Sequence, residues 1–274
     1  MLASGDRGSG PPVVLLHGQP GSGASWEPVA RLLESDRRVL APDRAGYGSS
    51  SGEALGLAAT ADLIAAFVRG HGAAPATVVA HSWAGGAAVL QAVRHPDTVQ
   101  SLVLVGAACT PDSLTPLDRW LTAPVVGDAL ALLGLAGIGW VLPELRRLGG
   151  RAPTRYRQQL AAALPDRGML TGGLRSLGRH RRAFLIEQRA LLDELPAVTA
   201  ALGRVTVPVS VVSGAWDLVV PAAAAASLAR AVPGATLTVL PRCGHFVARD
   251  DPVALAAIVG RLSERGRGTG PPIS

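Results

Sequence analysis

The sequence predicts an α/β protein built on a doubly wound, mostly parallel sheet, with a helical cap inserted in its second half. Three observations carry this. Short apolar runs bounded by turn residues alternate with longer helical patterns, the signature of βαβ units whose strands are buried on both faces. The alternation stops between Cys109 and Gly203, where helical periodicity and arginines continue without a convincing strand, and then resumes. With 274 residues, 48% of them hydrophobic, the chain is long enough to bury one sizeable core.

The strand runs are 12–16, 38–41, 77–80, 102–105, 209–213 and 236–240; helical patterns fall at 26–33, 54–68, 84–93, 222–231 and 252–261. Such an order gives a doubly wound sheet with the insertion, after the fourth of these strands, on its ligand side. The organisation that follows is a core of 1–107 and 204–265, a helical cap of 108–203, and a disordered Gly- and Pro-rich tail over 266–274. No internal repeat is detectable.

Composition removes several function classes. A mean hydropathy of +0.30 raises the question of a membrane span, but the most apolar stretch, 121–142, carries Asp128, Pro124 and the glycines 134, 137 and 139. A buried or lid-like hairpin explains it better. The first dozen residues contain no apolar h-region, so no secretory signal is expected. Cys109 and Cys243 lie far apart and fit neither a disulfide framework nor a metal spacing, which points to the cytoplasm.

The net charge of +6 comes entirely from arginine, because the chain has no lysine. Many arginines fall between Arg146 and Arg189, including the run Arg179, His180, Arg181, Arg182. A solvated helical face accounts for them, and docking of an acidic carrier or CoA is the alternative. Nucleic acid fits poorly, since aromatic residues make up only 4% of the chain and stacking platforms are scarce.

The chemistry centres on Val78-Val79-Ala80-His81-Ser82-Trp83-Ala84-Gly85-Gly86, where a buried strand stops at a serine and a helix of small residues begins. A serine on so tight a turn projects its hydroxyl above the sheet edge, and the residues two before and two after it must be small. Here they are Ala80 and Ala84. Taken alone, a serine capping an ordinary helix would look similar. Upstream, Val13 to Leu16 runs into His17-Gly18-Gln19-Pro20-Gly21, a glycine-rich loop able to aim a backbone N–H at a developing oxyanion. The expected donors are the amides of Gln19 and Trp83; Pro20 has no N–H.

Downstream, the strand at 209–213 leads through Gly214 to Asp217, and the last strand leads through Cys243-Gly244 to His245. Serine, then acid, then histidine is the chain order such a triad requires on this sheet. A serine hydroxyl is a weak nucleophile until an imidazole takes its proton, and a carboxylate sets that imidazole's tautomer. The other histidines compete poorly: His17 braces the loop glycine, His81 points away from its neighbour Ser82, and His71, His95 and His180 fall at helix ends or in the cap. Trp120, Trp140 and Phe246 are candidates for an apolar substrate pocket, as are Leu130, Leu132 and Leu135 of the cap, and the cap residues fit the cap's own core equally well.

The segments HGQPGSG, DRAGYGSS, AHSWAGG, SGAWDLVVP and CGHF resemble the successive landmarks of the α/β-hydrolase superfamily, in its serine-nucleophile, capped, esterase- or haloperoxidase-like branch. The resemblance covers about residues 12–107 and 205–262 and leaves the cap unmatched. It implies that Asp43 to Ser50 form a structural turn. It also makes Asp112 a rival acid, because some members carry theirs after the strand at 102–105; the Gly214 and Pro221 context favours Asp217. Members usually begin with a β-hairpin, whereas only a dozen residues precede the first strand here. The N-terminal hairpin is therefore expected to be truncated, its first strand missing or reduced to a remnant at 2–8, leaving a sheet edge open to another chain and the oligomeric state undecided.

The resulting expectation is a carboxylic ester hydrolase working through an acyl-enzyme on Ser82, needing no metal or organic cofactor, on an apolar or aromatic acyl substrate. The same triad serves thioesterases, C–C hydrolases and perhydrolases. A non-catalytic ligand-binding member or a biosynthetic cyclase would share the fold. Epoxide and haloalkane chemistry is disfavoured, since those relatives carry an aspartate where Ser82 stands.

Overall fold

The computed structural model describes residues 2–131, 133 and 173–265. Seven strands form one sheet: β1 (Ser4–Arg7), β2 (Pro12–Leu16), β3 (Arg38–Pro42), β4 (Ala76–His81), β5 (Val99–Val105), β6 (Val209–Gly214) and β7 (Thr236–Leu240). Their spatial order is β1-β3-β2-β4-β5-β6-β7, with every neighbouring pair parallel except β1 with β3. After β1 at the sheet edge, the chain enters β2 near the middle, winds outward to β3, crosses to β4 and winds outward again, so the order reverses between β2 and β4. That reversal opens a crevice at the carboxyl ends of the strands, where ligands bind in open α/β sheets.

Helices cover both faces: α1 (Glu27–Leu33), α2 (Leu57–Gly70), α3 (Ala84–Arg94), α4 (Pro116–Thr122), α5 (Gly173–Ala201), α6 (Ala222–Ala231), α7 (Val247–Asp250) and α8 (Pro252–Arg265). The two-residue period of a strand sorts its side chains between two cores. Val14, Leu16, Val78, Ala80, Leu102 and Leu104 pack with α2, α3 and α6 on one face. Their alternates Val13, Leu15, Val79, Val103 and Val105 pack with α1 and α8 on the other. Both sets are buried, which is why these strands read as continuous apolar runs.

Of the two expectations for the first strand, missing or a remnant at 2–8, the remnant is present as β1. β1 pairs antiparallel with β3, Ser4 opposite Pro42 through Arg7 opposite Val39, and so covers the edge that was expected to stand open. Its sequence, SGDR, carries no apolar alternation because it lies outside both cores. Backbone pairing holds it, together with ion pairs from Arg38 to Asp6 and from Arg7 to Glu27. β1 is four residues long.

The insertion between β5 and β6 is helical where described. The second half of α5 belongs to the main core, with Leu191, Leu195, Val198 and Ala201 buried in it. Glu194 of α5 also accepts from the Leu57 and Ala58 amides at 3.2 and 2.7 Å, placing a carboxylate on the positive end of α2. Within the arginine run, Arg179 donates to the Gly48 carbonyl, Arg181 pairs with Asp128 and Arg182 with Glu53. No helix among the described residues is long and apolar enough to cross a membrane. Leu132, Leu135, Trp140, Arg146 and the tail at 266–274 lie outside the described residues.

Candidate active site

Ser82 sits between β4 and α3 with φ of 55°, in the left-handed region that a side chain rarely adopts. Such a conformation costs about 1–3 kcal/mol and persists only when its surroundings over-determine it. Here the Ser82 N–H donates to Val105 O at 2.9 Å, and the Ser82 carbonyl accepts from Gly85 and Ala108 at 3.0 and 3.2 Å. The turn is as tight as the small residues around it suggest: a Cβ on Gly85 would lie 2.5 Å from Cβ of Ala107.

Asp217 and His245 arrive from β6 and β7 at the same edge. His245 Nδ1 donates to Asp217 Oδ2 at 2.9 Å, and both side chains are buried. The other oxygen, Oδ1, accepts from the Val219 and Val220 amides, each at 2.9 Å. Burial works against the ionised carboxylate, but the His245 contact and these two amides outweigh it and hold the Asp217 pKa below the ordinary value. Gly106, at φ of 50°, leaves room for the pair, since a Cβ there would stand 3.2 Å from both Asp217 Oδ2 and His245 Nδ1. The rival acid, Asp112, is exposed and accepts from Ser227 Oγ at 2.6 Å, away from His245.

Ser82 and His245 line one cavity of about 300 Å³ with Gln19, Trp83, Leu117, Leu121, Leu191 and Phe246. Helix α4 thus contributes Leu117 and Leu121, while Trp120 turns outward and stays 60% exposed, so it does not wall this cavity. The reason is helical phase: residues 117 and 121 share a face that residue 120 does not fully share. A second cavity of about 310 Å³, lined by Gly18 to Ser22, Trp26, His81 and Val247 to Arg249, is separated from the first by Gln19, Pro20 and Phe246, which line both.

The glycine loop approaches the serine closely, for a Cβ on Gly18 would fall 2.8 Å from His81 Nδ1 and 2.9 Å from Ser82 Cβ. His17 accepts the Arg44 amide on Nε2 at 2.9 Å, so its Nδ1 carries the proton and donates to Gly18 O at 2.8 Å. Burial first, and the Arg44 charge second, push the His17 pKa well below its usual value and keep it neutral. Asp43 is the turn residue, accepting from the Gly23 and Ser49 amides at 2.8 and 2.7 Å.

The match between this chain and a known family extends over nearly its whole length: the family model described as the alpha/beta hydrolase family matches residues 13–258. The chain belongs to the α/β-hydrolase family. Among sequence relatives of this hydrolase, the pimeloyl-[acyl-carrier protein] methyl ester esterase of Chromobacterium violaceum is 32% identical, over 87% of this chain and 88% of its own. The 2-hydroxymuconate semialdehyde hydrolase of a Pseudomonas strain is 28% identical, over 93% and 87%. In fold it is similar to a thermophilic esterase from Thermogutta terrifontis, with a TM-score of 0.74, 20% identity, and 97% and 93% of the two chains covered. A haloalkane dehalogenase from Bradyrhizobium elkani follows at 0.72, 24%, 98% and 96%. The hydrolase family is therefore shown, and the choice among its chemistries falls to the site residues.

Three residues at or beside the cavity carried no sequence signal of their own. Glu187, Gln188 and Asp118 come from the insertion: Gln188 accepts from Gln19 Nε2 at 2.7 Å and donates to Asp118 at 2.8 Å along the cavity wall. No spacing rule links residues 169 apart.

Proposed function

We propose that this hydrolase cleaves a carboxylic ester, or a closely related acyl compound, through an acyl-enzyme on Ser82. The bond from His245 Nδ1 to Asp217 carries the reading, because it leaves the Nε2 lone pair of that ring for the cavity that Ser82 also lines. Ser82 Oγ attacks the acyl carbon while His245 Nε2 takes its proton. The imidazolium then returns that proton to the leaving alkoxide as the C–O bond breaks. Water repeats the sequence on the acyl-enzyme, releasing the acid and restoring Ser82. Asp217, held ionised, stabilises the transient cation.

The tetrahedral oxyanion is assigned to the backbone N–H groups of Gln19 and Trp83, neither of which donates to another group among the described residues. Leu117, Leu121, Leu191 and Phe246 suit an apolar or aromatic acyl group. A methyl ester esterase among the relatives supports ester chemistry. The 28% identity to a semialdehyde hydrolase favours C–C hydrolysis as the second reading.

A fluorophosphonate probe should label the wild-type protein and leave Ser82→Ala unlabelled, with p-nitrophenyl ester turnover lost in that variant. Turnover retained by Ser82→Ala removes the proposal. A panel of esters, thioesters, lactones and vinylogous diketones ranks the two readings.

A further inference from the structure

Arg44 and Glu187 form an ion pair in which both side chains are almost fully enclosed, 2% and 1% exposed. Arg44 lies in the loop after β3, Glu187 in the middle of α5. The guanidinium bonds both carboxylate oxygens, Nη1 to Oε1 and Nη2 to Oε2. It also donates from Nε to His17 O at 2.8 Å and from Nη2 to Gly18 O at 3.0 Å. Its plane is packed against two rings, 5.0 Å from the Tyr47 centroid and 4.6 Å from that of Trp83. Tyr47 Oη donates to Glu187 Oε2, and Trp83 Nε1 donates to the Glu187 backbone carbonyl, both at 2.8 Å. Burial, and the Glu187 charge next, push the Tyr47 phenol well above its ordinary pKa, so it remains an O–H donor.

The value of this network lies in what it aims. Gly18 O and the Gln19 N–H belong to one trans peptide group, whose planarity sets the N–H antiparallel to the carbonyl. Two donors on Gly18 O, His17 Nδ1 and Arg44 Nη2, therefore fix the direction of the Gln19 N–H. The other assigned donor is the backbone of Trp83, whose side chain is tied to Glu187. One residue of the insertion is thus bonded to both arms of the oxyanion site, through Arg44 to one and directly to the other.

We propose that the Arg44–Glu187 pair is a positioning device for the oxyanion donors, so that transition-state stabilisation depends on how helix α5 seats on the core. The inference rests on the acyl-enzyme reading. Neither residue touches a reacting atom. Stability alone is a weak reason for such a pair, because well-packed apolar residues of similar volume often replace a buried ion pair without loss. Oxyanion stabilisation, by contrast, requires donors within about 2.7–3.1 Å of a fixed point, so a small rotation of one peptide is felt.

The test uses the full chain carrying Arg44→Met with Glu187→Met, which removes both charges and leaves neither unpaired, and separately Glu187→Gln. The double variant should fold with an unfolding midpoint close to wild type, lose about 10- to 100-fold in kcat for a p-nitrophenyl ester, and keep KM within about twofold. Affinity for an alkyl boronic acid, which forms a tetrahedral adduct on the serine, should fall in step with kcat. A folded double variant with unchanged kcat and boronate affinity overturns the inference. If the double variant does not fold, Glu187→Gln decides: a drop of several-fold in both quantities supports positioning, and wild-type values overturn it. Fluorophosphonate labelling separates the layers, since a wild-type protein that reacts at Ser82 while the pair variants retain full kcat sinks the positioning role alone. A wild-type protein inert at Ser82 sinks the acyl-enzyme reading beneath it.

Discussion

The Nε2–H of His81 donates to the backbone carbonyl of His245 at 2.9 Å, and the two rings lie 4.6 Å apart. The residue before the nucleophile thus holds the loop that carries the proposed base. Its position beside Ser82 leads only to the expectation that His81 points away from that serine; the ring fixes where the His245 main chain sits.

That contact has a pH signature. Burial, reinforced by the neighbouring His245, lowers the His81 pKa to about 3, whereas an unfolded histidine titrates near 6.5. Between those values the unfolded chain binds a proton that the folded one refuses, so stability is intact above about pH 6.5 and is lost as pH falls, at roughly 1.4 kcal/mol per unit. His17, also held neutral by burial, adds in the same direction. Urea midpoints measured from pH 7 to pH 4 should fall, and His81→Gln should make the decline shallower. Identical slopes in both proteins would count against a neutral buried His81.

Asp217→Asn keeps the shape of the acid but favours the wrong imidazole tautomer. Turnover should fall about 10³- to 10⁴-fold, while Asp112→Asn, at a surface bond to Ser227, should leave it unchanged. Steady-state kinetics of both variants check this, and a loss under tenfold for Asp217→Asn would strip that residue of its role.

Gly18→Ala places a methyl where 2.8 Å separates it from His81 Nδ1 and 2.9 Å from Ser82 Cβ. The serine or the oxyanion loop must move, so kcat should drop by about 10²-fold, comparable to losing one oxyanion donor. Activity within twofold of wild type would mean the loop is not aimed at the serine.

Phe246→Ala should join the cavity of about 300 Å³ at Ser82 to its neighbour of about 310 Å³. Longer or bulkier acyl chains should then gain in kcat/KM relative to short ones, with each newly buried methylene contributing about 0.8 kcal/mol, or roughly fourfold. An unaltered chain-length profile on a graded p-nitrophenyl ester series would show that the partition does not limit the substrate.

The platform and the order of its landmarks are written in the residue pattern. Val13 to Leu16 and Val78 to Ala80 are apolar throughout because both faces of their strands are buried, and a period of two then sorts them between the cores without further information. Ser82, Asp217 and His245 stand out as candidates because each follows a strand end, where topology leaves a side chain little choice of edge. β1 is legible only as a candidate remnant at 2–8, because an edge strand outside the cores needs only backbone pairing, and SGDR has no alternation to detect. Tertiary structure alone decided the rest: that Glu187 reaches Arg44 across 143 positions, that His81 serves His245, and that Trp120 faces outward while Leu117 and Leu121 face the cavity. The His81 contact joins the end of β4 to the loop after β7, the others come from helices packed from the insertion onto the sheet, and close packing is a property of shapes in space that no local spacing encodes.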